Sequence, residues 1–187
     1  MPLEDALIEH ASPTLAGLKP ANLFRYRPED LRSFALDFKH WREHLAASGL
    51  QLVILRGCRK IGGYLMYLYR PRDLHAALTC EENRAFLLRQ GYSAEGSDQD
   101  YLRQLAGRLC LDAEFPNEIG VFLGYPLEDV EGFIQNKGRN FTCCGYWKVY
   151  GDPCTAQRRF DSYRKCTEIY RRIHARGTPV TQLVVAA

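Results

Sequence analysis

Apolar positions along the chain switch between two periods, and the switches mark out helices and strands. Leu31, Phe34, Phe38, Trp41 and Leu45 stand 3, 4, 3 and 4 residues apart, the spacing of one helix face. Pro28-Glu29-Asp30 ahead of them offers a proline for the first helical position and acids for the first turn, and Gly49 offers the stop. Asn22 to Tyr26, Gln51 to Arg56 and Gly63 to Tyr69 are short, β-branched or aromatic, and bounded by Gly or Pro, so each reads as a strand. Arg72 to Gln90 reads as helix, broken at Thr79, where Thr79-x-x-Glu82 matches a capping box, and closed by Gly91. Ser97 with Asp100 opens another helix, whose inner face carries Leu102, Leu105 and Leu109.

The second half continues in the same way. Ile119 to Tyr125 reads as a compact apolar strand, and Pro126-Leu127-Glu128-Asp129 opens a short helix that stops at Lys137-Gly138. Gly145 to Tyr150 reads as a strand. A long last helix starts at Asp152-Pro153 with Phe160, Tyr163, Cys166, Ile169, Tyr170 and Ile173 inside. Ahead of Asn22 only a short amphipathic turn and a Pro-punctuated loop are expected. The tail, residues 178–187, reads as a frayed end or an extra edge strand. Alternating strands and helices predict one α/β domain over residues 1–187, a five-stranded mixed sheet covered by helices.

Tyr26-Arg27-Pro28, Tyr69-Arg70-Pro71, Tyr125-Pro126 and Tyr150-Gly151-Asp152-Pro153 repeat one arrangement, an aromatic strand end followed by a proline-started helix. With partly parallel strands, these tyrosines and helix N-termini gather at the carboxyl edge of the sheet, where open α/β sheets bind ligands. The alternative is ordinary strand–turn–helix grammar, since acids after the prolines already occupy the helix N-termini.

Composition narrows the class. With 187 residues, 46% apolar and 25% charged, the chain is neither disordered nor collagenous. No apolar run reaches the roughly 18–20 residues a bilayer span needs, and the start MPLEDALIEH carries acids where a secretory signal carries Lys or Arg. No membrane association and a cytoplasmic location are expected. Seven cysteines, an odd and scattered count, point to free thiols in a reducing compartment. No C-x-x-C occurs, Cys143 and Cys144 on a strand would face opposite sides, and the five histidines are spread out, so no metal site is expected.

Charge is uneven. Residues 71–136 hold five Lys/Arg against twelve Asp/Glu, and residues 137–177 hold ten against three. The basic last helix offers a surface for an acidic partner, although its basic face lacks the aromatics of a nucleic-acid reader, and nucleic acid is not the expected partner. Phosphate-loop, dinucleotide, serine-hydrolase and zinc-protease motifs are missing. Arg56 to Gly63, basic and glycine-rich, reads either as an anion cradle or as a hairpin connection with solvated charge.

Three strings have chemistry that packing alone does not demand: Pro13-Thr14-Leu15-Ala16-Gly17-x-Lys19, Leu123-Gly124-Tyr125-Pro126-x-Glu128-Asp129-x-x-Gly132-Phe133 and Cys144-Gly145-Tyr146-Trp147-Lys148-x-Tyr150. Through them nearly the whole chain resembles an uncharacterised bacterial domain-of-unknown-function family frequent in anaerobic Gram-positive bacteria. The resemblance implies an association with iron uptake and flavodoxin-type genes. The resemblance implies Cys at the position of Ala11 and His at that of Asn117 in many relatives; if relatives use that pair for thiol chemistry, this chain lacks both the nucleophile and the base.

The site residues expected to bind a ligand are Thr14, Lys19, Glu118, Tyr125, Asp129, Cys144, Trp147 and Lys148. Lys19 and Lys148 would pair with an anionic group and Trp147 would stack on a planar one. The leading expectation is a small-molecule or metal-cofactor binding or accessory protein of anaerobic redox or iron metabolism, its cofactor and catalytic residues unassigned. The alternatives are a thiol-dependent transferase or hydrolase using Cys144, and a protein-interaction module using the basic C-terminal helix. Against the thiol reading, positions i and i+4 of a straight strand lie about 13 Å apart, too far for Lys148 to serve Cys144.

Overall fold

The computed structural model describes residues 1–58, 63–93, 95–111 and 115–186. The chain divides into two compact units, Met1–Asp73 with Tyr163–Ala187, and Leu74–Ser162. The boundaries fall within two helices, α3 (Pro71–Thr79) and α8 (Pro153–His174).

The first unit is built on three antiparallel strands, β1 (Ala21–Tyr26), β2 (Gln51–Cys58) and β3 (Gly63–Tyr69), in the order β1-β3-β2. The register sets Phe24 opposite Met66 and Leu52 opposite Leu68, and slips between Ile54 and Arg56, so that Leu55 is an extra residue in β2. Helices α1 (Leu3–Leu15) and α2 (Leu31–Ala47) complete the core, where Leu7, Leu15, Phe24, Trp41, Leu45, Leu52 and Met66 pack together.

Two expectations about these helices change. The N-terminus is a 13-residue helix and not a turn, and Pro13, expected in a loop, lies within it. Leu3, Leu7, Ala11 and Leu15 recur on one buried face, and their burial outweighs the single helical hydrogen bond that proline forfeits in the last turn. The Pro13 carbonyl then accepts Leu18 N (2.8 Å) and Lys19 N (3.1 Å), with Gly17 at φ +74° making the exit turn. In α2 the cap is Asp30, whose carboxylate accepts Ser33 N at 2.7 Å, so Pro28 and Glu29 precede the helix and Leu31 is 63% exposed. Phe34, Trp41 and Leu45 are the buried stripe.

The tail is neither strand nor frayed end: it carries a short helix, α9 (Val180–Leu183), with Val180 fully buried. Val180 N donates to Glu4 Oε1, Tyr170 OH to Leu183 O, Arg70 Nη2 to Val185 O, and Val185 N to Leu15 O.

The second unit is mainly helical: α4 (Glu81–Arg89), α5 (Asp98–Leu111), α6 (Ile119–Phe122) and α7 (Leu127–Gln135), with a two-residue antiparallel ladder, β4 (Cys143–Cys144) with β5 (Lys148–Val149). Helix α5 begins at Ser97 and Asp100 as expected, and the pair forms a capping box, Ser97 N donating to Asp100 Oδ2 and Asp100 N to Ser97 Oγ. The other proposed box does not form: the Thr79 hydroxyl donates back to His75 O, and Cys80 is the cap residue of α4.

The chain is thus a mixed helix and strand protein, but its larger sheet has three strands and not five, and all three strand pairings among the described residues are antiparallel. Helix N-termini therefore do not collect at a shared carboxyl edge. The largest misreading is Ile119 to Tyr125, which is α6 and its exit turn. A short apolar run buried on all sides has no periodicity to separate helix from strand, and Gly124 (φ +72°) closes the helix by letting Tyr125 N reach Gly120 O at 2.9 Å. Gly145 to Tyr150 likewise contributes only β5. Of the possible anion cradle of Arg56 to Gly63, residues 59–62 lie outside the described residues. No helix among the described residues is long and apolar enough to cross a membrane.

Candidate functional site

Asp129 organises the second unit. It sits in the first turn of α7, where the helix dipole favours a carboxylate, and it is buried. Its Oδ1 accepts Tyr150 N (2.7 Å) and Gly151 N (2.8 Å), and its Oδ2 accepts Trp147 Nε1 (2.6 Å). One carboxylate thereby ties α7 to β5 and the turn after it, with its charge met by three N–H donors.

Trp147, 8% exposed, is held on three sides. Besides the bond to Asp129, its ring stacks on Tyr125 (centroids 4.7 Å apart, planes at 28°) and meets Phe160 edge-on at 4.6 Å. The Tyr125 hydroxyl donates to Tyr146 O. This packing needs glycine at 145, because a Cβ there would lie 2.3 Å from the Phe160 ring. It needs glycine at 120 as well, where a Cβ would come within 2.6 Å of Val130 and 3.2 Å of Tyr125.

The register of the β4–β5 ladder places Cys144 directly opposite Lys148. Residues paired this way share a face with Cβ atoms about 4.5–5.5 Å apart. The expected i, i+4 separation along a straight strand is thus corrected: the chain reverses at Gly145–Trp147, with Gly145 N donating to Trp147 O. The Lys148 ammonium donates to Gly138 O (2.7 Å) and lies over the rings of Phe141 (4.9 Å) and Phe133 (5.7 Å).

Tyr125, Asp129, Phe133, Cys144, Trp147 and Lys148 line one cavity of about 280 Å³, whose apolar floor includes Ile119 and Val130. Five of the eight expected site residues meet here. Glu118 is adjacent in sequence to Asn117, which lines the cavity, but its carboxylate is 5% exposed and belongs to a separate network. It accepts Tyr92 OH (3.1 Å) and Arg108 Nη1 (3.4 Å), while Arg108 lies over the Tyr92 ring and donates to Gln90 O.

Thr14 and Lys19 belong to the first unit. The buried Thr14 hydroxyl donates to Asn22 Oδ1 (2.7 Å). Lys19 is 4% exposed, and burial pulls its ammonium down to about 8. Thr14 sits beside Arg70, which the sequence pattern placed only in a strand–turn–helix junction. Its buried guanidinium donates to Thr14 O, Leu15 O and Val185 O, closing the C-terminus of α1.

Sequence reasoning also missed parts of the cavity wall. Phe133 lies inside one of the three strings and Gly120 ahead of it, but nothing marked either as lining. A second cavity of the same unit, about 540 Å³ and more polar, is lined by His75, Arg84, Ser97 and Asp98 among others. There His75 Nδ1 stands 3.1 Å from Asp98 Oδ2. No group of three or more His, Cys, Asp or Glu residues is placed to hold a metal among the described residues.

Comparison with curated proteins and with solved structures finds no match for the chain. Residues 7–184 match a family model spanning all three motif strings, and the chain belongs to the family described as Protein of unknown function (DUF3793).

Proposed function

We propose that this chain is a cytoplasmic small-molecule-binding accessory protein of bacterial redox or iron metabolism, with the cavity of the second unit as its binding site. The carrying observation is convergence. Tyr125 and Asp129 on one side, and Cys144, Trp147 and Lys148 on the other, come from separate stretches and line one concavity. Its volume of about 280 Å³ is near the lower end of ligand pockets, and it combines apolar and aromatic walls with few polar groups. Asp129, Tyr125 and Phe160 already fix the Trp147 ring, so little side-chain freedom is lost when a ligand enters. The six cysteines whose side chains are described are all free, which suits a reducing compartment.

The test is an NMR fragment screen on the ¹⁵N-labelled full chain, together with native mass spectrometry of the freshly purified protein. Fragments that bind are expected to shift the Trp147 indole N–H resonance, and a co-purified small molecule is expected to do the same when added back. A screen whose hits all leave that resonance unmoved overturns the proposal.

A second reading, a thiol-dependent transferase or hydrolase, is favoured by the Cys144–Lys148 pairing, which sets a lysine opposite an exposed cysteine, both lining the cavity. Acyl-thioester probes that label Cys144 and are then turned over by water or an added amine would favour it. Labelling no faster than at the exposed Cys80 and Cys154 would remove it.

A further inference from the structure

The cavity's charges are not equally available, and that difference selects a ligand class. Among the described residues two charged side chains line it, Asp129 and Lys148. The Asp129 carboxylate is 3% exposed and both of its oxygens are occupied by the N–H groups of Trp147, Tyr150 and Gly151, so it has little left to offer a ligand. Lys148 differs. The residue is half-buried, its ammonium meets one carbonyl oxygen, that of Gly138, and two phenylalanine rings, and no carboxylate among the described residues pairs with it. An ammonium has three N–H donors, so a partly desolvated cation with spare donors stands at an aromatic cavity.

Shape narrows the class further. A cavity of about 150 Å³ accepts benzene, so about 280 Å³ accommodates one or two fused rings with a short substituent. The Tyr125–Trp147 stack, Phe133 and Tyr146 give it aromatic walls that favour flat, polarisable ligands. Resting on the small-molecule reading above, we propose that the ligand is a one- or two-ring aromatic carboxylate, its ring among these side chains and its carboxylate on Lys148 Nζ.

Three probes with one ring and different charge test this: indole-3-acetate, indole and tryptamine, each titrated into the ¹⁵N-labelled full chain while the Trp147 indole resonance is followed. Indole-3-acetate is expected to bind about tenfold more tightly than indole, the scale of one charge-assisted hydrogen bond, and tryptamine more weakly than either. Lys148→Met, which keeps the apolar stem, is expected to lose the preference for the acid, its affinities for indole-3-acetate and indole differing less than about twofold. Lys148→Arg is expected to keep the preference, and the ranking in the unsubstituted protein decides the matter should the methionine variant fail to fold. Equal affinity for indole and indole-3-acetate, or tightest binding of tryptamine, overturns the ligand class and leaves the cavity as a binding site. If none of the three moves the Trp147 resonance, the class is overturned, and the fragment screen then decides the cavity itself.

Discussion

Asp129 and Trp147 are joined by a 2.6 Å hydrogen bond from the indole Nε1 to the carboxylate Oδ2, formed within the second unit between residues 18 positions apart. The same carboxylate receives the backbone N–H groups of Tyr150 and Gly151 on its other oxygen. Asp129→Asn puts an NH₂ group where one of these oxygens accepts, so at least one buried donor then faces another donor. A loss of about 2–4 kcal/mol is expected, the scale of charge-assisted bonds replaced by an unsatisfied group. Urea unfolding of the variant checks this, and an unchanged midpoint would show that the carboxylate does not hold the turn.

Cys143 and Cys144 provide an independent check of the hairpin. Cys144 is exposed and Cys143 half-buried, as adjacent positions on opposite faces of a strand require. Maleimide is expected to label Cys144 first in the folded protein, with Cys143 following more slowly, and an occupied cavity is expected to protect Cys144. Equal rates at the two thiols, read by peptide mass spectrometry, would place both on an open loop.

How far the sequence reveals this architecture depends on how local each determinant is. The Ser97/Asp100 capping box, the Trp41 stripe and the limits of β3 are set by residues within a turn or two of one another, and each is readable from spacing. Ile119–Phe122 is not, because an apolar segment buried all round loses the periodicity that tells helix from strand. Pro13 misleads for another reason: its local penalty is real, but Leu3, Leu7 and Leu15 bury enough surface to override it. In the cavity, residue types were readable and their roles were not. Asp129 looks like a ligand group until its donors at positions 147, 150 and 151 arrive through the fold. Lys148 looks remote from Cys144 until the hairpin sets them opposite one another.

Trp41 is 8% exposed and packed among the core residues of the first unit. Trp41→Ala is expected to cost about 3–5 kcal/mol through lost burial and the cavity left behind. A thermal midpoint unchanged by the substitution would mean that α2 does not pack on the sheet through this face.

Arg70 closes the C-terminal end of α1 and reaches the tail in one gesture, through Thr14 O, Leu15 O and Val185 O. Arg70→Met fills similar space but removes the guanidinium's three hydrogen bonds, while Thr14 O keeps Gly17 N and Leu15 O keeps Val185 N, and a destabilisation of about 2–4 kcal/mol is expected. The tail should also loosen, visible as faster hydrogen exchange at Val185 N, which donates to Leu15 O. Unaltered exchange there would show that the tail is held by Val180 and Tyr170 without Arg70.

His174 is expected to make attachment of the same tail dependent on pH. Both of its ring nitrogens face acceptors: Nδ1 is 3.1 Å from Thr178 O and Nε2 is 3.1 Å from Asp5 Oδ1. A neutral imidazole has a single N–H to donate, whereas the imidazolium donates at both positions. The Thr178 carbonyl is the largest influence raising its pKa above the ordinary 6.5; burial opposes it, and Asp5 and Glu4 add to the rise. The folded protein therefore holds this proton more tightly than the unfolded chain. The stabilisation is complete below pH 6.5 and is lost as pH rises through the elevated value. Protection against hydrogen exchange in α9, taken relative to the intrinsic rate at each pH, is accordingly expected to fall above that value and to be full below it. His174→Gln is expected to flatten the profile, and Asp5→Asn to shift its midpoint downwards. A profile equally steep in His174→Gln would assign the pH dependence to another group.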